Sequence, residues 1–195
     1  AKGQVIFYAQ DPRDYFFVLS RGYARIEQYD ETDTFTYLDY IREDSAFPFG
    51  GMFQDKDYFY TAIAITDVEC FIIPMDLFES LSMVNPRQLV YICKKLSRVL
   101  HFQELRLRNA LQSKATERVI QVLALLYWDM CQPNHLSSLP FEIHILELSQ
   151  LAATTRETVS HVLKQLISEE KITYCHKKLT YLDTTFFLEN LTETH

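Results

Sequence analysis

The sequence predicts an α+β chain: an N-terminal antiparallel β-barrel or jelly roll, one long helix, and a helical C-terminal part built on a helix-turn-helix. Three observations lead there. Residues 2–73 carry short aromatic and β-branched runs separated by turn residues. Between Pro86 and Pro133 no Gly or Pro interrupts the chain. From Phe141 to Ile172 apolar residues recur at spacings of three and four on either side of a short break, the pattern of two amphipathic helices.

Taken in order, strands are expected at Val5–Tyr8, Tyr15–Leu19, Tyr23–Ile26, Phe35–Leu38 and Val68–Ile73. Turns are expected at Gln10–Pro12, Arg21–Gly22 and Tyr29–Asp33. Short strands at this spacing suit a barrel or jelly roll. Pro74-Met75-Asp76 opens a short helix with Leu77, Phe78 and Leu81 on one side. Asn85 reads as an N-cap and Pro86 as the first residue of a helix running to about Leu111. Its stripe is Leu89, Ile92, Leu96 and Val99, shifted beyond them by Leu100, Leu107 and Leu111. A helix this long beside a small barrel cannot bury both faces in its own domain. Pairing with its twin as a coiled coil in a homodimer is the expected solution, and an intramolecular core helix is the alternative.

A further apolar helix covers residues 115–131 and ends at Gln132-Pro133-Asn134. In the helix-turn-helix, the first helix carries Leu146, Leu148, Leu151 and Ala152. The second opens at Thr155 and carries Val159, Val162, Leu163, Leu166 and Ile167. Its other face is Arg156, Glu157, Ser160, His161 and Lys164, polar from the helix N-terminus onward. A helix-turn-helix lays such a helix in the DNA major groove with its first residues on base edges. Strands follow at Ile172–Cys175 and Leu179–Leu182, around a basic tip of His176, Lys177 and Lys178, and Phe186–Leu191 reads as a terminal helix. The expected division is a sensor barrel at 1–85, a dimerisation helix at 86–112 and a DNA-binding domain at 113–195.

The net charge of −7 argues against a non-specific nucleic-acid binder. It is unevenly spread. Residues 1–85 carry 6 basic and 15 acidic side chains, residues 86–112 carry 6 and 1, and residues 113–195 carry 7 and 10. The basic run on the long helix (Arg87, Lys94, Lys95, Arg98, Arg106, Arg108) reads as a solvated flank, with neutralisation of the acidic barrels as the alternative. The acidic C-terminal part counts against DNA binding unless a local basic stripe faces the phosphates. Cys70, Cys93, Cys131 and Cys175 form no CxxC pair, so they read as reduced thiols of a cytoplasmic protein. A redox pair formed in space is the alternative. No apolar run is long enough to span a bilayer and no signal-peptide pattern is present. The first residue, Ala1, leads directly into strand-like text, which fits a trimmed chain. No phosphate loop, metal motif or nucleophile beside a recognisable base supports an enzyme.

The order of parts and several local motifs resemble one regulator superfamily over essentially the whole chain. The matching segments are Lys2-Gly3, Tyr15-Phe16-Phe17-Val18-Leu19 with Gly22, Gly50-Gly51-Met52-Phe53, Asn85-Pro86, and above all Arg156-Glu157-Thr158-Val159-Ser160 with Leu163. These are similar to the cyclic-AMP receptor protein and fumarate–nitrate reduction (Crp/Fnr) regulators. FPFGG, LRLRN and HKKLTYLD look most like a Gram-positive subgroup tied to arginine deiminase pathway control. The resemblance implies a cyclic-nucleotide-binding-like jelly roll and a winged helix-turn-helix. It implies a homodimer on double-stranded DNA carrying a palindromic TGTGA-like operator, with RNA polymerase as a further partner.

Carried over residue by residue, Arg156 matches the arginine that grips guanine and Glu157 the acid that accepts from cytosine or adenine amino groups, roles that base-edge chemistry also supports. Ser160 resembles the serine of the fumarate–nitrate branch. His161 stands where relatives have a second base-reading arginine, and a neutral imidazole cannot form that fork. For His161 a solvated face is an equal alternative. Thr155, Lys164, Lys177 and Lys178 would hold phosphates. In the sensor half, Phe49 falls where cyclic-nucleotide binders need a glutamate and Tyr60 where they need an arginine. Only Thr61 fits, beside Gly50 and Gly51. A phosphate buried without a cation is costly, so cyclic nucleotide is not expected and no cofactor is assigned. Phe47, Phe49, Phe53, Tyr58, Phe59 and Tyr60 either fill the nucleotide space or line a pocket for a small apolar ligand. Haem held by His101 or a thiol is a weaker alternative. The rival functional reading is a small-ligand sensor with a vestigial helix-turn-helix.

Overall fold

The run Tyr15-Phe16-Phe17-Val18-Leu19 is apolar at every position, and the computed structural model explains why: this strand is covered on both faces. The structure describes residues 1–30 and 35–192. Strands β1 (Val5–Phe7), β2 (Tyr15–Arg21), β3 (Ala24–Tyr29), β4 (Phe35–Ile41), β5 (Ser45–Phe47), β6 (Thr61–Ala64) and β7 (Glu69–Pro74) form two antiparallel sheets, ordered β1-β6-β3-β4 and β5-β2-β7. No closed barrel forms among the described residues; the architecture is a jelly-roll sandwich. One core lies between the sheets, where Phe7, Phe17, Leu19, Ile26, Phe47, Tyr58 and Ala62 pack together. The other face of β2 sends Phe16 against Phe49, Met75 and Ile92.

Gly22 makes the β2–β3 turn at φ +87°, with the Asp67 carbonyl oxygen pressed against the place a Cβ would take. Any side chain there meets both strain and a clash. The sequence reading misses β5 and β6. Each is three or four residues long, too short for alternation to stand out. The expected Tyr29–Asp33 turn lies mostly outside the described residues.

Helix α1 (Met75–Val84) follows β7 directly. Met75 and Phe78 pack inward, whereas Leu77 and Leu81 are exposed, so the expected apolar side is only partly a core side. Helix α2 runs Pro86–Ala110. Asn85 caps it, its Oδ1 accepting from Arg87 N at 3.1 Å and Gln88 N at 3.3 Å. The predicted stripe divides. Ile92 is turned into the first unit's own core at 2% exposed, and Leu89 is half-buried. Leu96, Val99, Leu100, Leu107 and Leu111 are all exposed.

The chain divides into units Ala1–His101 and Phe102–His195, so the division falls inside α2. In the second unit, α3 (Ala115–Leu126) continues through a π-helical turn and ends with His135 in the left-handed region. Helices α4 (Ile145–Leu151) and α5 (Arg156–Ser168), the hairpin β8 (Ile172–Cys175) and β9 (Lys178–Tyr181), and α6 (Thr184–Thr192) complete it. Val119, Leu123, Leu148, Val159, Leu166, Ile172, Leu179 and Phe187 are fully buried. Leu146 and Ile167 were expected on the core faces but stand in solvent; each lies at the edge of its apolar stripe, where the sequence cannot mark how far burial extends. Tyr181 ties the hairpin to α3: its buried hydroxyl donates to Leu123 O at 2.9 Å. Among the described residues, no helix is long and apolar enough to cross a membrane, and no group of three or more His, Cys, Asp or Glu is placed to hold a metal.

Candidate nucleic-acid interface

The second helix of the helix-turn-helix, α5, is set by its own sequence. Val159, Val162, Leu163 and Leu166 recur at three- and four-residue intervals and are all buried. Each such burial is worth roughly 1.5–3 kcal/mol. That fixes the rotation of α5 and leaves Arg156, Glu157, His161 and Lys164 exposed, with Ser160 half-exposed between them. Thr155 is the N-cap; its Oγ1 accepts from Thr158 N at 3.2 Å and lies 3.2 Å from Thr158 Oγ1. The positive end of the helix dipole lies at this turn, beside the exposed Arg156 and Glu157.

Glu157 is held below the ordinary carboxylate range, first by its own main-chain N–H, then by the Thr155 hydroxyl and the Arg156 charge. It is therefore an acceptor at neutral pH, the state needed to take a hydrogen bond from a base amino group.

The turn leading into α5 is tight. Ala152 ends α4, Ala153 adopts φ +46°, and Thr154 N donates back to Ser149 O at 3.0 Å. A non-glycine residue in the left-handed region costs about 1–2 kcal/mol, so the surroundings must hold it. Glu147 fastens the other end of α4 by accepting from His144 N at 2.7 Å.

The hairpin is a wing whose tip differs slightly from expectation. His176 and Lys177 alone form the turn, both at positive φ, as the two-residue type I′ turn demands. Lys178 belongs to β9, paired with Cys175. Lys177 and Lys178 are both exposed. The wing is fixed to the segment before α4: Ile143 N donates to Lys177 O at 2.9 Å, and Tyr174 OH to Ile143 O at 2.8 Å. The predicted base- and phosphate-facing residues thus occupy two surface elements, the N-terminal face of α5 and the wing.

The first unit is different. Phe49 is nearly buried and packs edge-on against Phe16 at 5.3 Å. Tyr58 stacks on Phe7 at 3.8 Å, and Phe47 lies 5.6 Å from Phe17. Tyr60 lies 5.9 Å from Phe7, and burial raises its phenol well above the ordinary value. The Thr61 hydroxyl accepts from Ala9 N at 3.0 Å. Phe53 and Phe59 are exposed and join neither a pocket nor the core. Gly50 is exposed, and Gly51, at φ +73°, makes a turn where an added Cβ would strike the Asp55 side chain.

The sequence reading leaves out two arginines. Arg13, 7% exposed, donates to Glu79 Oε1 at 2.6 Å and to Asp55 O at 3.2 Å. The same Glu79 oxygen accepts from Phe53 N at 2.9 Å, so the pair pins the 50–57 loop to α1. Arg118 on α3 donates to main-chain carbonyls on both sides of the second unit. For Arg118 the available signal was that it is the one cation of α3, set directly before the apolar run that opens at Val119. The four cysteines are free thiols; Cys131 is buried and its pKa is pushed up to about 12, which suppresses thiolate chemistry. His101 is exposed on α2.

The cyclic nucleotide-binding domain family matches residues 1–85. The HTH-type transcriptional regulator ArcR of Staphylococcus epidermidis is 33% identical over 184 residues, covering 91% of this chain and 77% of that protein. Among solved structures, FixK2 from Bradyrhizobium japonicum superposes with a TM-score of 0.80 at 16% identity, over 97% of this chain and 93% of that one. A Crp/Fnr-family transcriptional regulator from Thermus thermophilus gives 0.73 at 24% identity, over 98% and 95%. Both superpositions establish likeness of fold.

Proposed function

The chain belongs to the Crp/Fnr superfamily of transcription regulators, in its ArcR-like subgroup, and from that premise we propose that it is a homodimeric, sequence-specific DNA-binding protein that acts without cyclic nucleotide. It is a regulator and not an enzyme. The observation that carries the DNA-binding reading is the division of α5 into a buried apolar face and a polar face open from the helix N-terminus. On this reading Arg156 grips guanine, Glu157 accepts from a cytosine or adenine amino group, and Ser160 and His161 complete the base-reading set. Thr155, Lys164, Lys177 and Lys178 hold phosphates.

The homodimer rests on α2. Leu96, Val99, Leu100 and Leu107 form an exposed apolar strip on a single chain, the arrangement that a coiled-coil partner covers. With Ile92 turned inward, the seam begins beyond it, and Leu89 contributes at its margin. The operator is a TGTGA-like inverted repeat with half-sites one helical turn apart. The sensor half supports independence from cyclic nucleotide: Phe49 and Tyr60 supply no charge where a ribose and a phosphate would need one, and Arg13 is neutralised by Glu79. The reading extends to control of arginine deiminase or anaerobic/stress metabolism, contact with RNA polymerase and a cytoplasmic site of action, which the likeness to ArcR supports.

The test is a binding titration of the purified, ligand-free protein on a duplex carrying the inverted repeat and on a scrambled duplex, at fixed salt. Selective binding is expected. Equal weak binding to both would favour the second reading, a sensor whose helix-turn-helix no longer reads sequence, which the acidic balance of residues 113–195 motivates.

A further inference from the structure

The geometry points to Arg118 as a positioning residue that fixes the end of α2 to the turn of the helix-turn-helix. The guanidinium lies between two chain segments more than thirty residues apart. Its Nε donates to Ala152 O at 3.0 Å and its Nη2 to Ala153 O at 3.1 Å. Its Nη1 donates to Gln112 O at 2.8 Å, with Ser113 O at 3.5 Å. The main chain of the same residue is bound as well: Asn109, in the last turn of α2 and 5% exposed, donates through Nδ2 to Arg118 O at 3.2 Å.

The chemistry suits the place. Main-chain carbonyls just beyond a helix end need partners from elsewhere in the chain, and the negative end of the helix dipole favours a cation nearby. Ala152 and Ala153 follow α4, and Gln112 and Ser113 follow α2. One planar fork with donors on two edges serves both ends at once, which a lysine ammonium cannot do. One of the two carbonyls it takes from the turn belongs to Ala153, the strained residue that starts the approach to α5. Neighbouring charges are otherwise engaged: Glu117 pairs with Lys114 at 2.8 Å. Arg118 thus sets the direction in which the recognition helix leaves the end of the dimer helix. This consequence rests on the reading of the chain as an operator-binding dimer. In such a dimer that direction determines the half-site separation the protein accepts.

The experiment uses the full chain as wild type, Arg118→Lys, Arg118→Met and, as a control outside both segments, the exposed Lys56→Ala. Amide hydrogen exchange is read first, without DNA. Arg118→Lys is expected to speed exchange together at residues 109–114 and 152–155, while the centre of α5 and the control stay unchanged. Binding is then read on inverted repeats whose half-site separation is varied one base pair at a time. The wild type is expected to lose about tenfold or more per step from its best spacing, and Arg118→Lys to bind that spacing about tenfold more weakly, as loss of charge-assisted hydrogen bonds implies. Its affinities across spacings should lie close together. If Arg118→Met unfolds, Arg118→Lys carries the test. Unchanged exchange at the two segments, or an unchanged spacing penalty, overturns the assignment. A wild type that selects no repeat at any spacing overturns the operator-binding reading, and exchange alone then decides whether Arg118 joins the two segments.

Discussion

The polar face of α5 and the segment 47–61 of the first unit are the two candidate ligand surfaces of the proposed reading, and they are built oppositely. On α5 Arg156, His161 and Lys164 stand in solvent, and Glu157, also exposed, is held below the ordinary carboxylate value by its own main-chain N–H and the Thr155 hydroxyl. In the first unit Phe49, Tyr60 and Thr61 are engaged within the chain: Phe49 on Phe16, Tyr60 beside Phe7, and the Thr61 hydroxyl accepting from Ala9 N. The difference teaches a physical rule. A surface that must read bases keeps hydrogen-bonding capacity open to solvent, where water holds it until exchange. A site that has become part of a core satisfies or removes its polar groups, because an unpaired buried one costs roughly 1–3 kcal/mol.

The largest effect expected from this contrast is on the sensor side. Phe49→Ala should lower the stability of the first unit by about 3 kcal/mol, the low end for truncating a buried aromatic. Thermal unfolding followed by calorimetry reads it. A loss under about 1 kcal/mol would mean that Phe49 lines an open pocket, and the comparison would break. On the reading side, Arg156→Ala should leave stability unchanged but weaken operator binding by about 1–3 kcal/mol and relax preference at one base pair. Operator binding that survives intact would remove Arg156 from the base-reading set. A smaller change is expected at the wing. Lys177→Ala and Lys178→Ala should each weaken all duplexes alike and reduce the salt slope by about 1. A sequence-dependent loss would make the wing a reader of bases.

How much of this was legible depended on whether the residue's partners were near in sequence. The helix-turn-helix was legible because Val159, Leu163 and Leu166 mark a face by spacing alone, and Thr155 caps the helix from within it. Asn85-Pro86 announced α2 for the same reason. The strands at Ser45–Phe47 and Thr61–Ala64 were not legible. They exist because β2 and β3 pair with them across long separations. Ile92 has the spacing of a dimer residue, yet Phe16 and Met75 claim it, and nothing local says so. Arg118 and Arg13 escaped notice because each acts on carbonyls or a carboxylate far along the chain. The acidic balance of the C-terminal part is a sum over residues 113–195 and gives no hint that Arg156, His161 and Lys164 are exposed together on α5.

The smallest effect concerns what holds the second unit together rather than its exposed polar face. Lys171 and Asp183 meet at 2.6 Å where the wing passes into α6, and Asp183 Oδ1 also accepts from Phe186 N at 3.0 Å. The Lys171 hydrogen bond, then the Phe186 N–H, holds the Asp183 carboxyl below its ordinary value, and the Asp183 hydrogen bond raises Lys171. The signs follow from linkage. A depressed carboxyl contributes stability that is complete above the unfolded aspartate value, about 3.9, and is lost as pH falls through the lower folded value. A raised ammonium contributes below the unfolded lysine value, about 10.4, and its share is lost as pH rises through the folded one. Both shares are therefore complete between about pH 5 and 9. Asp183→Asn keeps an oxygen for the Phe186 N–H and removes the charge together with the hydrogen bond from Lys171. Its thermal midpoint should lie slightly below that of the wild type at pH 7, and the gap should close at the most acidic pH at which both remain folded. A gap that stays constant with pH would assign the contribution to shape and capping alone, leaving the open polar face of α5 as the part of this unit where charge decides the outcome.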